Sequence, residues 1–370
     1  MNLRRRFVYL ITADKNRRDF LLRRIDTPSL FFAPKDDRPA HPPPLEEARL
    51  PCPVFRFNAA APDPGDGNME FMLFSGGGRK RGMVVATDPE GRAVLVDPDR
   101  RAVRLLPDLT KPKTGPISFT VGSVLYILGT MPRAGILRTL CFDCLVFNDD
   151  ERGGCHDGWC GRLSLPAPPY ESTWWGRSNG YEYDSFEETK ANVTASALVP
   201  GDGGGTILVS KRTLGTHAFD VARGAWSKAG DWALPFYGRA HLVPEHGVWL
   251  GLSSLRGGDG RGRVPRDCDD GLVCASELAA AAPPTTPRDL WRDRTPPGWA
   301  SRESCLVDLG CCRFCLARFF DSRRPDGELQ RFVVFTGIEV ERAAGGELSV
   351  MKHRSRRYSY DGDHKAQRVL

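Results

Sequence analysis

The chain has 370 residues, 41% of them apolar, and it carries 52 basic against 46 acidic side chains, a net charge of +6. An apolar fraction of this size supports a large buried core and excludes disorder throughout the chain. No apolar run approaches the ~20 residues that a helix needs to span a bilayer, so no membrane contact is expected. Basic and acidic residues alternate along most of the chain. The charge is therefore weak evidence for nucleic-acid binding, and a nucleic-acid partner is not predicted.

Segments rich in Val, Ile, Leu, Phe and Tyr, bounded by Gly, Pro, Asp or Asn, dominate the sequence and predict about 22 β-strands. Helical periodicity is nearly absent. In chain order the segments are an opening hairpin (7–12 and 20–25), two strands at 54–57 and 71–74, and a meander (83–87, 93–97 and 102–106). Two further strand sets lie within 117–165 and 193–228, and a final series lies within 239–353.

So many short antiparallel strands must pair into a sandwich, close into a barrel or repeat radially as blades. At four strands per blade, about 22 strands predict an all-β propeller of about five to six four-stranded blades. No shift in composition marks a boundary, so residues 1–370 are predicted to form a single domain. Long polar stretches are expected as inter-strand loops at 33–53, 149–159, 171–190, 257–270 and 279–301.

Five phrases spread over nearly the whole chain carry a family resemblance: Phe7 to Asp26, Trp226 to Phe236, Val243 to Trp249, Arg313 to Phe320 and Val350 to Ser355. In them the chain resembles a large grass-plant family of uncharacterised proteins with a rice-type domain of unknown function, related to kelch and galactose-oxidase-like propellers. The resemblance implies a kelch-like β-propeller. It implies no activity, because none is established for that family.

The N-terminus does not read as a secretory signal. After Arg4, Arg5 and Arg6, the apolar stretch 7–13 is short and lacks a convincing cleavage site. The 11 cysteines are odd in number and irregularly spaced. These features predict a reducing compartment, the cytoplasm and/or the nucleus, in which most cysteines remain free thiols.

The most tempting metal cluster is Cys141 and Cys144 followed by Cys155 and Cys160. A structural zinc ion needs four converging ligands, usually from two tight knuckles. The first pair lies inside the apolar strand segment 140–147, where positions three apart point to opposite faces. The second pair has the wrong spacing. No metal and no cofactor is therefore predicted.

Two further groups invite a chemical interpretation. Cys311, Cys312 and Cys315 lie in or near a predicted hairpin, where alternation makes some of them buried small hydrophobes rather than nucleophiles. The glycine-rich stretch Ser75 to Lys80 lacks the spacing of a phosphate loop and precedes a strand rather than a helix. No catalytic residue is predicted from either group.

The run Lys352 to Arg357, followed by Tyr358 and Tyr360, is basic and aromatic. An edge strand with solvated arginines is the simplest interpretation, since such charges guard sheet edges. Nuclear import and RNA binding are the alternatives.

A rigid strand scaffold with long loops is typical of recognition proteins. The sequence predicts a non-enzymatic interaction module whose loops bind an unknown protein partner. The alternative is an enzyme or small-molecule binder that uses the axial pocket of the propeller.

Overall fold

The computed structural model describes residues 3–14, 19–32, 44–58, 69–76, 82–130, 142–147, 160–169, 193–211, 214–254, 271–343, 345–360 and 364–370. Within these ranges the chain forms β-sheets, short 3-10 helices at Thr27–Leu30 and Asp202–Gly204, and no α-helix. The all-β prediction is confirmed. No helix in the described part has the length and hydropathy of a membrane span.

The strands differ in burial: Met83–Thr87 and Val248–Ser253 are buried at every position, whereas Ala102–Leu106 is buried only at Leu106. In chain order they are β1 Phe7–Asp14, β2 Asp19–Asp26, β3 Glu46–Ala48, β4 Phe55–Asn58, β5 Glu70–Phe74, β6 Met83–Thr87, β7 Ala93–Asp97, β8 Ala102–Leu106, β9 Ile117–Val121, β10 Val124–Leu128, β11 Phe142–Phe147, β12 Cys160–Leu165, β13 Ala195–Val199, β14 Thr206–Lys211, β15 Gly215–Asp220, β16 Ala225–Gly230, β17 Phe236–Val243, β18 Val248–Ser253, β19 Leu272–Ser276, β20 Arg288–Arg292, β21 Trp299–Gly310, β22 Arg313–Arg323, β23 Leu329–Arg342, β24 Leu348–Tyr360 and β25 His364–Val369.

The chain divides into two compact units. Unit 1 comprises residues 1–58, 235–279 and 283–370, and unit 2 comprises residues 59–234 and 280–282. In unit 1 the strands pair in the orders β25-β1-β2-β4, β17-β18-β19-β20 and β21-β22-β23-β24-β3. In unit 2 they pair in the orders β5-β6-β7-β8, β9-β10-β11-β12 and β13-β14-β15-β16. The single domain over residues 1–370 stays a prediction.

A buried ion pair crosses the core of unit 2. Lys113 and Asp143 have no solvent-exposed side-chain surface, and Lys113 Nζ lies 2.7 Å from Asp143 Oδ2. The backbone N–H of Thr110 donates to the same carboxylate oxygen at 3.2 Å, and its hydroxyl donates to Oδ1. The pair thus ties β11 to the connection between β8 and β9.

A second buried charge lies in unit 1. Arg318 on β22 is 1% exposed, and its Nη1 donates to the carbonyl oxygen of Asp293 at 2.6 Å. Its Nη2 donates to Thr295 Oγ1 at 2.7 Å, and the guanidinium lies over the Phe320 ring at 4.8 Å. Arg318 therefore anchors the connection between β20 and β21 against the core.

The basic run 352–357 lies on β24, and its arginines are partly exposed. Strand β3 pairs with β24 in parallel. Arg356 Nε lies 3.1 Å from Glu46 Oε2, and Arg357 Nη1 lies 3.2 Å from Glu47 Oε1. The prediction of an edge strand is therefore wrong at residues 356–358, because an acidic strand covers that edge.

Two of the five predicted long loops contain strands. The range 279–301 includes β20 and the first residues of β21, and the range 33–53 includes β3. The prediction that these two ranges are loops throughout is therefore wrong. The other three, 149–159, 171–190 and 257–270, lie outside the described residues.

Candidate functional site

Strand β17 carries polar side chains at a local irregularity of its sheet. Its register against β18 shifts between Tyr237 and His241, where three residues of β17 face Gly251 alone. Gly238 has a φ of +73° at this point, a conformation that glycine adopts without steric cost. Bulges of this kind bend a strand and re-aim its side chains. Here the bulge presents Arg239 with its side chain exposed.

The segment before β1 lies against the end of β21. The backbone N–H groups of Arg4 and Arg5 donate to the carbonyl oxygen of Leu309 at 2.9 and 3.3 Å. The guanidinium of Arg5 donates from Nη2 to the carbonyl oxygen of Leu370 at 2.8 Å. These bonds bring Arg4 and Arg5 next to Asp308, the residue before Leu309. We call Arg4, Arg5, Arg239, His241 and Asp308 the arginine recess.

Arg239 has a strongly perturbed pKa. Its side chain is exposed to solvent, yet desolvation by the surrounding protein lowers its pKa to about 10. Protein therefore replaces part of the hydration shell of a guanidinium that solvent still reaches. The charge of Asp308 acts to raise the pKa and that of Arg5 to lower it. With a pKa near 10, the guanidinium stays charged at neutral pH.

One carboxyl group faces these cations. Burial raises the pKa of Asp308, while the N–H of Gly310, which donates to its Oδ1 at 2.8 Å, acts to lower it. The charges of Arg4, Arg5 and Arg239 also act to lower it. Among the described residues, the charges of three guanidinium groups act on this one carboxyl. Guanidinium groups bind carboxylates and phosphates through charge-assisted hydrogen bonds, so the recess suits an anionic group.

His241 contributes no charge to the recess at neutral pH. Burial lowers its pKa to about 3, and the charges of Arg239 and Arg5 act in the same direction. Its Nε2 lies 3.0 Å from the carbonyl oxygen of Leu306, and a neutral ring makes this bond by donating from Nε2. A ring with such a low pKa is a poor base for proton transfer at neutral pH.

Replacing His241 by glutamine is expected to reduce the acid sensitivity of unfolding. Its pKa is about 3 in the folded chain against 6.5 for an unperturbed histidine, so between these values the unfolded state binds a proton that the folded state excludes. The free energy of unfolding therefore decreases as the pH falls through this window. His241→Gln removes this contribution, which is at most ~1.4 kcal/mol per pH unit. Urea unfolding at several pH values in the window measures the difference. A constant difference between the two proteins would contradict this assignment.

The four-cysteine set considered for zinc is mostly not described. Cys141 and Cys155 lie outside the described residues, as does the side chain of Cys160. Cys144 is buried on β11, where burial raises the pKa of its thiol. Among the residues that the structure describes, no three His, Cys, Asp or Glu side chains form a possible metal site. The absence of a metal stays a prediction.

The other cysteine group lies at the turn between β21 and β22. Cys311 and Cys312 form this two-residue turn with φ values of +55° and +59°, as a type I′ hairpin requires. Cys315 is fully buried in the core of unit 1, which confirms its role as a small hydrophobe. Burial raises the pKa of Cys315 to about 12, and burial together with Glu245 raises that of Cys312 to about 11. Both thiols are protonated at neutral pH and are weak nucleophiles.

The glycine-rich stretch 75–80 is described only at its start. The N–H of Ser75 donates to Thr120 Oγ1 at 3.2 Å, and residues 77–80 lie outside the described ranges. Its interpretation as a basic loop rather than a phosphate loop stays a prediction.

Sequence reasoning missed the residues of the arginine recess. Arg239 and His241 lie two apart in a predicted strand, and Asp308 interrupts another between Val307 and Leu309. Charged side chains inside an apolar strand were the available signal, since burial of a charge without a partner is costly. What the sequence does not contain is the proximity of the three segments, which only the fold creates.

Comparison with known proteins gives a family and distant structural likenesses. Residues 5–358 match the family described as "Protein of unknown function (DUF1668)". No curated protein matches the sequence. The β-propeller domain of Cps50 (Swd1) from Myceliophteria thermophila is similar over 72% of this chain and 92% of that chain, with 12% sequence identity and a TM-score of 0.30. A likeness this distant supports no statement about function.

Proposed function

We propose, from the premise that the chain belongs to the DUF1668 family of proteins of unknown function, that it is a non-enzymatic interaction module. Its partner is a protein that presents an acidic group to the arginine recess. Its compartment is the cytoplasm or the nucleus, on the sequence evidence alone.

The proposed scaffold is a kelch-like β-propeller of six four-stranded blades. Supporting this, the strand orders within the two units comprise five groups of four neighbours and one of five, in which the short β3 adds to β21-β22-β23-β24. The last strand, β25, pairs with β1 in the first group. Radial repetition of such groups is one way in which a large antiparallel protein limits its exposed sheet edges. Six blades agree with the upper end of the number that the strand count predicts.

The observation that carries the function is the combination of exposure, desolvation and positive charge at Arg239. A partly desolvated charge interacts with an opposite charge more strongly than a fully hydrated one, because water screens it less. Tyr237 is 39% exposed two residues earlier on the same strand. Tyr and Arg are the side chains that most often dominate protein interfaces, which favours a protein partner.

The histidine of the recess does not support acid–base catalysis. His241 is neutral, its pKa lies far below neutrality and its Nε2 is bonded to the backbone. It therefore lacks the pKa near the working pH that a general acid or base needs. Asp308 accepts a backbone hydrogen bond and faces cations, which suits it to holding the arginines in place. Binding is therefore the better-supported role.

Proximity-labelling mass spectrometry in the protein's own cell type tests this proposal. The expected result is a partner set that disappears with Arg239→Glu and also with Arg4→Glu. Arg4 is exposed, so its replacement is expected to disturb folding less. Arg223→Glu is the matched control, because this arginine is 83% exposed on a turn of unit 2. Circular dichroism confirms that each variant is folded. An identical partner set for all four proteins would overturn the proposal.

A further inference from the structure

Strand β8 is the outer strand of its group in unit 2. It pairs with β7 in the register Ala93 to Leu106, Val94 to Leu105 and Val96 to Val103. No strand among the described residues pairs with its other side. The backbone groups on that side are therefore free to accept a further strand, as open sheet edges generally are.

The side chains of β8 on one face are unusually apolar for an exposed position. Leu105 is 86% exposed and Val103 is 52% exposed. Both extend rows of apolar residues that cross the sheet, since Val94 and Val96 lie directly opposite them on β7. Val96 is fully buried. The apolar face thus continues from the interior onto the open edge.

The opposite face of β8 carries one exposed cation, Arg104, beside Leu106, which packs into the core. Arg101, in the turn just before the strand, is also exposed. Within β8 itself there is no acidic residue. A strand paired with this edge would meet apolar side chains on one face and a positive charge on the other.

The chain contains an example of this type of contact in unit 1. There β3 pairs with the outer side of β24, and its two glutamates form ion pairs with Arg356 and Arg357. A short acidic extended segment is thus able to cover an arginine-bearing outer strand. Strand β8 likewise carries an exposed arginine, Arg104, together with the exposed apolar side chains of Val103 and Leu105.

We propose that the open edge of β8 is a docking site for an extended segment of a partner protein in which apolar and acidic residues alternate. The segment adds a strand to β8, with apolar side chains against Val103 and Leu105 and acidic side chains beside Arg104. A second copy of this chain does not fit this edge well, because pairing two β8 strands brings Arg101 and Arg104 of both copies together. The site lies in unit 2 and is independent of the arginine recess.

Titration of a labelled peptide by fluorescence anisotropy tests the proposal. The probe alternates valine with glutamate over eight residues between Gly-Ser ends, and the control peptide alternates valine with lysine. The full-length protein is expected to bind only the acidic peptide. Leu105→Ser and Arg104→Glu are each expected to weaken binding by up to about fivefold, the effect of losing one favourable cross-strand pair.

Three further variants separate this site from others. Leu163→Ser changes a leucine that is 58% exposed on the outer strand β12, and it is expected to leave binding unchanged. Arg223→Glu changes an exposed arginine elsewhere in unit 2 and is also expected to leave binding unchanged. Arg239→Glu is measured alongside to reveal any binding of the peptide at the arginine recess. Hydrogen exchange is expected to slow at residues 102–106 when the acidic peptide binds.

The following results would overturn the docking site. Binding that is lost in Arg239→Glu but kept in Arg104→Glu would place the peptide in the arginine recess. The proposal would also be contradicted if both peptides bound equally, if all variants bound the acidic peptide equally, or if neither peptide bound. Self-association of the wild type that Leu105→Ser abolishes would make a second copy the occupant.

Discussion

Replacing Asp143 by alanine is expected to lower the free energy of unfolding by about 3–5 kcal/mol, the cost of leaving a buried charge without its partner. Lys113 Nζ lies 2.7 Å from Asp143 Oδ2, and neither side chain has exposed surface. The N–H and hydroxyl of Thr110 also lose their acceptor. Urea unfolding at neutral pH measures the change.

The double variant Lys113→Met with Asp143→Leu separates the cost of leaving the Lys113 charge unpaired from the loss of the hydrogen-bond acceptor of Thr110. Buried ion pairs replaced together by apolar side chains of similar volume often leave stability unchanged. The double variant is therefore expected to be more stable than Asp143→Ala. If the single and double variants lost the same stability, the buried charge of Lys113 would not be the cause.

Replacing Arg318 by methionine is expected to lower the free energy of unfolding by about 3 kcal/mol, because buried acceptors lose a charged donor. Its guanidinium bonds the Asp293 carbonyl oxygen at 2.6 Å and Thr295 Oγ1 at 2.7 Å. Asp293 would keep Lys352, whose Nζ lies 3.2 Å from Oδ1. The connection between β20 and β21 is expected to open first, which hydrogen exchange at residues 293–299 measures.

Arg302→Met is the matched control for Arg318→Met. Arg302 forms an ion pair with Asp321, but its side chain is 52% exposed. Exposed pairs contribute little because water screens them, so this variant is expected to lose less than about 1 kcal/mol. Equal losses in the two variants would contradict the anchoring role of Arg318.

Much of the strand order was predictable from local pattern. The predicted meander 83–87, 93–97 and 102–106 coincides with β6, β7 and β8, because its turns carry Asp, Pro and Gly, which stop a strand. Strand β20 was missed because Arg288 to Arg292 contains three charged residues. Strand β3 was missed because Glu-Glu-Ala has low strand propensity, and its pairing with β24 supplies the missing stability.

The arginine recess could not be assembled from the sequence. Arg5, Arg239 and Asp308 lie in three segments far apart along the chain, and their proximity depends on long-range pairing. The bulge at Gly238 is equally hidden, since a glycine inside a strand indicates only that a bulge or close approach is possible. Desolvation of Arg239, which identifies the recess, is a property of the surrounding fold.

Selection of a random peptide library on the immobilised full-length protein tests the arginine recess most directly. The peptides that the wild type binds and that high salt releases are expected to be enriched in aspartate and glutamate. Selection on Arg104→Glu keeps this enrichment, whereas selection on Arg239→Glu loses most of it. Peptides without acidic enrichment, or the same peptides selected by wild type and Arg239→Glu, would contradict the claim that this chain binds acidic partners through its recess.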